Sequence, residues 1–203
     1  MTTDHVRVLT PAPPTGPNAR KRLARIVVPE EADLVLLGDS NSAAWPNELL
    51  RRALPELAVF NFGLPGDRIQ NTLWRLDEVE TAHLRPRHVV LILGTNNLAD
   101  GDGAEAIAAG LAAVIARIEA LWGAPEIVLP AIAKRGAGPL ARSEERIRLN
   151  ALLLAMERPR LRPVRSDLIL DELGPAAFEP DGIHISMLGY ARLTEALVEI
   201  LER

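Results

Sequence analysis

Ser40, Asn96, Asp181 and His184 are the residues of this chain whose types and neighbours could carry chemistry together. Asp181-Gly182-Ile183-His184 places a carboxylate three residues before an imidazole. At that separation the carboxylate can take the Nδ1–H, fix the tautomer and leave Nε2 free to accept a proton. The chain has only four histidines and no cysteine, so a thiolate nucleophile and a cysteine metal site are excluded. His5 lies near the N-terminus and His83 and His88 flank the start of a strand; all three read as surface or structural residues. No two histidines stand at metal-ligand spacing, and Asp181 with His184 supplies two ligands at best. No metal and no other cofactor is expected.

The serine stands in Gly38-Asp39-Ser40-Asn41-Ser42, directly after an apolar run. A serine on a strand-to-helix turn lies at a helix N-terminus, where backbone N–H groups stabilise negative charge. The same residue could equally cap the helix. Its neighbours do not form the G-x-S-x-G elbow of the α/β-hydrolases. After a second apolar run comes Asn61-Phe62-Gly63-Leu64-Pro65-Gly66-Asp67, where glycine lets backbone N–H groups face a ligand closely. After a third comes Gly94-Thr95-Asn96-Asn97, whose asparagine amides can cap a helix or donate to a developing oxyanion. Each signal has an ordinary structural reading. Taken together they supply a nucleophile, oxyanion donors, a base and its orienter, which is the inventory for acyl transfer.

An α/β fold must carry these groups. Five aliphatic runs, Asp33–Gly38, Leu57–Phe62, His88–Gly94, Glu126–Pro130 and Arg162–Ser166, read as buried strands of a parallel sheet. Between and after them, helical periodicity covers Asn41–Ala53, Asp67–Glu80, Ala104–Trp122, Leu140–Glu157 and Ser186–Leu201. In the fourth helix the apolar face is read as Ile147, Leu149, Leu152, Leu153 and Met156, and in the last as Leu188, Leu193, Leu197, Ile200 and Leu201. Five β-α repeats predict a doubly wound, three-layer α/β/α sandwich, whose ligands bind beyond the carboxyl ends of the strands. Residues 1–30 read as a Pro-rich, then basic, irregular arm, and residues 31–203 as one domain.

Composition narrows the partners. The chain of 203 residues is 48% hydrophobic but only 3% aromatic, so its core is aliphatic and offers no evident platform for stacking sugars. A net charge of −4 gives no footprint for nucleic acid or an anionic membrane. The basic cluster Arg20-Lys21-Arg22 with Arg25 reads as a solvated face. The longest apolar stretch, Ile107–Trp122, is interrupted by Arg117 and Glu119, so no membrane span is expected. The N-terminus has no apolar leader stretch, and a cytoplasmic protein is the expectation. Trp45, just beyond Ser40, could line the cleft or fill the core; Trp74 reads as core.

The blocks Gly38-Asp39-Ser40, Gly66, Gly94-x-Asn96 and Asp181-x-x-His184 resemble, in their order and in the elements that carry them, the signature blocks of the SGNH/GDSL hydrolase superfamily. The stretch Phe60–Gly63, Gly66-Asp67, Leu73-Trp74-Arg75-Leu76 and Gly94-Thr95-Asn96-Asn97 is most similar to the α subunits of intracellular (type Ib) platelet-activating factor acetylhydrolase. The resemblance implies a flavodoxin-like fold and a serine esterase acting on short-chain acyl esters, acetyl esters foremost, through an acyl-enzyme. It implies Ser40 as nucleophile, His184 as general base and Asp181 as its orienter. The Ser40 N–H, the Gly66 N–H and the Asn96 amide would form the oxyanion hole. Asn41, Thr95 and Ile183 would line a small acyl pocket, with Asn41 polar where that branch tends to be apolar. A homodimer is a further possibility that the branch suggests. Two alternatives stay open on the residues alone: a non-catalytic binding protein on the same scaffold, and acyl transfer to a sugar or alcohol acceptor.

Overall fold

Strand β1 (Leu34–Gly38) is buried along its whole length, and β3 (His88–Ile92) and β4 (Glu126–Pro130) at their three central positions. Strands of that kind have no solvent face, so helices must cover both sides of the sheet. The computed structural model, which describes residues 3–15, 19–136 and 142–202, has that arrangement. β2 (Val59–Gly63) and β5 (Leu161–Val164) are the edges, and their partial exposure follows from that position. All neighbouring strands run parallel, in the order β2-β1-β3-β4-β5. This is the flavodoxin-like order, with its switch point between β1 and β3.

Alternate residues of β1 feed two cores, as the twofold period of a strand requires. Val35 and Leu37 pack with α5 (Ile69–Glu78), α7 (Ala104–Trp122) and α8 (Ser143–Leu154). Leu34 and Leu36 pack with α4 (Asn47–Ala53), α9 (Ser166–Leu173) and α10 (Met187–Leu201). Each fully buried aliphatic side chain contributes about 1.5–3 kcal/mol relative to exposure, and α7 alone sinks Ile107, Leu111, Val114, Ile115 and Ile118 completely.

Several expectations need correction. The helix expected over Asn41–Ala53 is two, α3 (Ser40–Ala43) and α4, because Pro46 has no N–H to continue the first. The fifth strand ends at Val164, since Ser166 already opens α9. The short α6 (Thr95–Ala99) and α9 are additional to the expected helices. The irregular arm contains α1 (Thr3–Leu9), whose Val8 is fully buried in the first core, and α2 (Ala19–Leu23). Residues 140–141 of the expected fourth helix lie outside the described residues.

The face of α8 is also different. Ile147 is 61% exposed and Leu152 is at the edge of exposure, whereas Arg146 and Asn150 are buried with Leu149 and Leu153. The polar pair has a task there. Asn150 accepts the Ile132 N–H (2.8 Å) and donates to the Ile132 carbonyl (3.0 Å), and Arg146 donates to the same carbonyl. These bonds fix the loop that leaves β4. In α10, Leu188 likewise faces solvent, while Gly189, Tyr190, Leu193, Thr194 and Leu197 are buried.

Candidate active site

β1 must end on a glycine: a Cβ at Gly38 would lie 1.8 Å from the Ile92 carbonyl oxygen of β3. The chain then turns, and Asp39, wholly buried, caps α3 by accepting the Asn41 N–H at 3.0 Å. The cap is therefore Asp39. Ser40 is the first helical residue, and its hydroxyl stays free of the helix. The His184 Nε2 lies 3.1 Å from the Ser40 Oγ, and the His184 Nδ1 lies 2.5 Å from the Asp181 Oδ2.

The loop before α10 is tied to α3. The Asn41 Oδ1 accepts the Ile185 N–H (3.2 Å), and the Tyr190 hydroxyl donates to the Asn41 carbonyl (2.8 Å). Asp181 Oδ1 accepts the N–H groups of Ile183 (2.8 Å) and His184 (3.0 Å). The His184 N–H, the imidazole and the Ile183 N–H together hold the Asp181 carboxyl down to about 2. Hydrogen bonds to the charged form have that effect. Imidazole and carboxylate both remain reachable from solvent, with 41% and 46% of their side chains exposed.

The first three strand exits supply candidate donors. Neither the Ser40 N–H nor the Gly66 N–H makes a hydrogen bond among the described residues. The Gly63 N–H is already used by the Asn61 side chain (3.0 Å). Gly66 has φ +84°, a conformation that favours glycine, and its carbonyl accepts from Arg68 Nη1 at 2.8 Å. Arg68 is in turn paired with Asp100. Asn96 Nδ2 donates to the Asp67 carbonyl (2.8 Å), which leaves its second amide hydrogen free.

A pocket of about 30 Å³ is lined by Asp39 and Asn41, the two chain neighbours of Ser40, by Thr95 and Ile183, and by apolar side chains that include Ile132 and Leu170. Burial pushes the Asp39 carboxyl up to about 7. Its Oδ2 has no hydrogen-bond partner among the described residues. Thus Ser40, His184 and Asp181 are brought into contact, and Asn41, Thr95 and Ile183 share one pocket.

Several supporting residues were not legible as functional. Asp67 and Arg75 form a fully buried ion pair (2.8 Å), and Arg75 also donates to the Phe62 carbonyl (2.9 Å). That pair braces the loop bearing Gly66. Burial still pushes the Asp67 carboxyl up, against the pull of Arg75. Asn97 accepts the Ile69 N–H (3.0 Å) and donates to Asp102 (2.9 Å), which pairs with Arg7 of α1. The only signal for this network in the sequence is the second asparagine of Gly94-Thr95-Asn96-Asn97.

The remaining candidates are structural. Trp45 is buried, 5.5 Å from the Tyr190 ring, and its Nε1 donates to Thr194. Trp74 is half-buried on α5. His83 meets the Pro29 carbonyl, and His88 faces Glu126, its ring held below the usual imidazole range by burial. Among the described residues no cluster of three or more His, Asp or Glu could hold a metal ion. Among them, too, no helix is long and apolar enough to cross a membrane.

Known proteins agree with this architecture. The chain is 31% identical to platelet-activating factor acetylhydrolase IB subunit alpha1 of Pongo abelii, over 86% of this chain and 77% of that protein. Its fold is shared with a lipolytic protein of the G-D-S-L family from Veillonella parvula (TM-score 0.65, 17% identity, 85% of this chain and 98% of that one). It is shared as well with Axe2, an acetylxylan esterase from Geobacillus stearothermophilus (TM-score 0.61, 19% identity, 86% and 95%). Residues 29–192 match the model of the GDSL-like lipase/acylhydrolase family, so the chain belongs to that family and is a carboxylic ester hydrolase.

Proposed function

We propose that the protein hydrolyses short-chain acyl esters through a Ser40–His184–Asp181 triad. The observation that carries this reading is the continuous hydrogen-bonded line from Ser40 Oγ through both imidazole nitrogens to Asp181. His184 takes the Ser40 proton as the hydroxyl oxygen attacks the ester carbonyl, and later returns it to the leaving alkoxide. Asp181 holds the imidazole in the tautomer that presents an unprotonated Nε2, and it stabilises the imidazolium that forms. The free N–H groups of Ser40 and Gly66, with the Asn96 amide, receive the charge of the tetrahedral intermediate. Water, activated by the same imidazole, then cleaves the acyl-enzyme.

The pocket volume of about 30 Å³ supports a short acyl group, since a water molecule already needs about 10–15 Å³. The names of the similar proteins, an acetylhydrolase subunit and an acetylxylan esterase, point the same way. The test is hydrolysis of p-nitrophenyl acetate by the wild type and by Ser40→Ala. Loss of the nucleophile is expected to lower kcat by about 10⁴-fold or more. Comparable turnover in the two proteins would remove Ser40 from the mechanism.

A further inference from the structure

We infer that the pocket beside Ser40 selects an acyl group bearing a hydroxyl on the carbon next to the carbonyl, a glycolyl-type acyl, over an alkyl acyl of equal size. This rests on the esterase reading and deepens it.

The volume sets the length. About 30 Å³ holds two water-sized atoms, so acetyl underfills the pocket, while propionyl and glycolyl fill it equally. Polarity must then decide between them. Asp39 lines the pocket fully buried, one oxygen capping α3 and Oδ2 without a partner among the described residues. Asn41, 5% exposed, spends its Oδ1 on the Ile185 N–H, and its Nδ2 donates to nothing among the described residues. Thr95 Oγ1 accepts from Arg135 (3.3 Å), which leaves its own O–H able to donate.

With Asp39 ionised, above about pH 7, where the esters are compared, the side chains of Asp39, Asn41 and Thr95 therefore offer one acceptor and two donors around a space of two atoms. A hydroxyl donates once and accepts twice, which is the complement of that set. A methyl at the same place would expel water and leave a buried carboxyl oxygen and an amide unmet. Ile132, Leu170 and Ile183 meet the methylene that both acyl groups share. A site built to pair a hydroxyl discriminates against the analogue lacking it far better than an apolar pocket discriminates in the other direction.

The experiment measures kcat/KM for glycolyl, propionyl and acetyl esters of one alcohol, each divided by its rate of hydrolysis by hydroxide. Glycolyl is expected to exceed propionyl by on the order of tenfold. Asn41→Leu is expected to reverse that order. Should Asn41→Leu fail to fold, Thr95→Val carries the test and is expected to shrink the ratio. Propionyl equal to or ahead of glycolyl in the wild type, or a ratio untouched by the folded variants, overturns the inference while Ser40-dependent esterase activity stands. Turnover of all three esters that survives Ser40→Ala overturns the esterase reading and the inference with it.

Discussion

Asp39 and Asp181 sit on opposite sides of the contact between Ser40 and His184, and their environments push them in opposite directions. Locally they are alike. Each carboxylate accepts the N–H of the residue two places on, Asn41 in one case and Ile183 in the other. Asp181 adds the backbone N–H and the ring nitrogen of His184, keeps 46% of its side chain in solvent, and is drawn down to about 2. Asp39 is wholly buried, gains no further donor among the described residues, and rises to about 7, with the charge of Asp67 adding to the effect of burial. The same turn motif thus yields a permanent charge at the rim and a protonatable floor in the pocket. Desolvation makes the difference, and desolvation is a property of the whole fold.

If Asp181 acts through its charge, Asp181→Asn should show the larger catalytic effect of the two aspartate substitutions. The amide oxygen can still accept the two backbone N–H groups, so the loop geometry should persist. It loses the negative charge that favours the imidazolium and the correct tautomer. A buried orienting aspartate is worth about 10⁴ in kcat; with nearly half of Asp181 in water, a loss on the order of 10³ is expected. Steady-state kinetics should show the drop in kcat with KM little changed. An unaltered kcat would mean that the pair at 2.5 Å is only a loop clamp.

Asn96 sharpens the contrast, because it offers a hydrogen bond without a charge. One amide hydrogen holds the Asp67 carbonyl and the other is free for an oxyanion. Asn96→Ala is expected to cost about a hundredfold in kcat. Asn96→Asp, measured beside it, is expected to lose more than Asn96→Ala, since the carboxylate can neither donate nor anchor and also repels the oxyanion. A loss in Asn96→Ala confined to KM would place the amide in ground-state binding instead.

The sheet was legible in the sequence because β1, β3 and β4 are buried on both faces, and a short, continuous aliphatic run between turn residues fits little but a central strand. The groups at the strand exits were legible for a related reason: in a parallel sheet they must emerge on one rim. What escaped was decided by contacts distant in the chain. Arg146 and Asn150 break the apolar face of α8 because Ile132, on another loop, needs a donor and an acceptor there. Arg7 reaches Asp102, 95 residues away, and so turns an expected irregular arm into a brace for Asn97. The division of the helix after Ser40 was present in the sequence as Pro46. Asp39 stood in the same motif as Ser40, yet nothing in that motif distinguishes a solvated cap from a buried one.

The contrast between the two carboxylates can finally be read as stability against pH. An unfolded Asp39 loses its proton near the ordinary value of 3.8, whereas the folded one keeps it to about 7. Across that interval unfolding releases a proton. The contribution of Asp39 to stability is therefore complete below 3.8, declines as pH rises, and is exhausted above about 7. Asp39→Asn cannot ionise, yet its amide oxygen can still accept the Asn41 N–H. The stability of the variant relative to the wild type should therefore climb between pH 5 and 6.5 by about 2 kcal/mol, one proton's worth of slope over that range. Urea unfolding of both proteins at the two pH values measures it. Profiles that stay parallel would show that the floor carboxyl is solvated or paired in solution, and would erase the physical distinction between the two aspartates. A gap that widens with pH would instead show that the pocket keeps a proton at its base under mildly acidic conditions, where a carboxylate at the rim is fully charged.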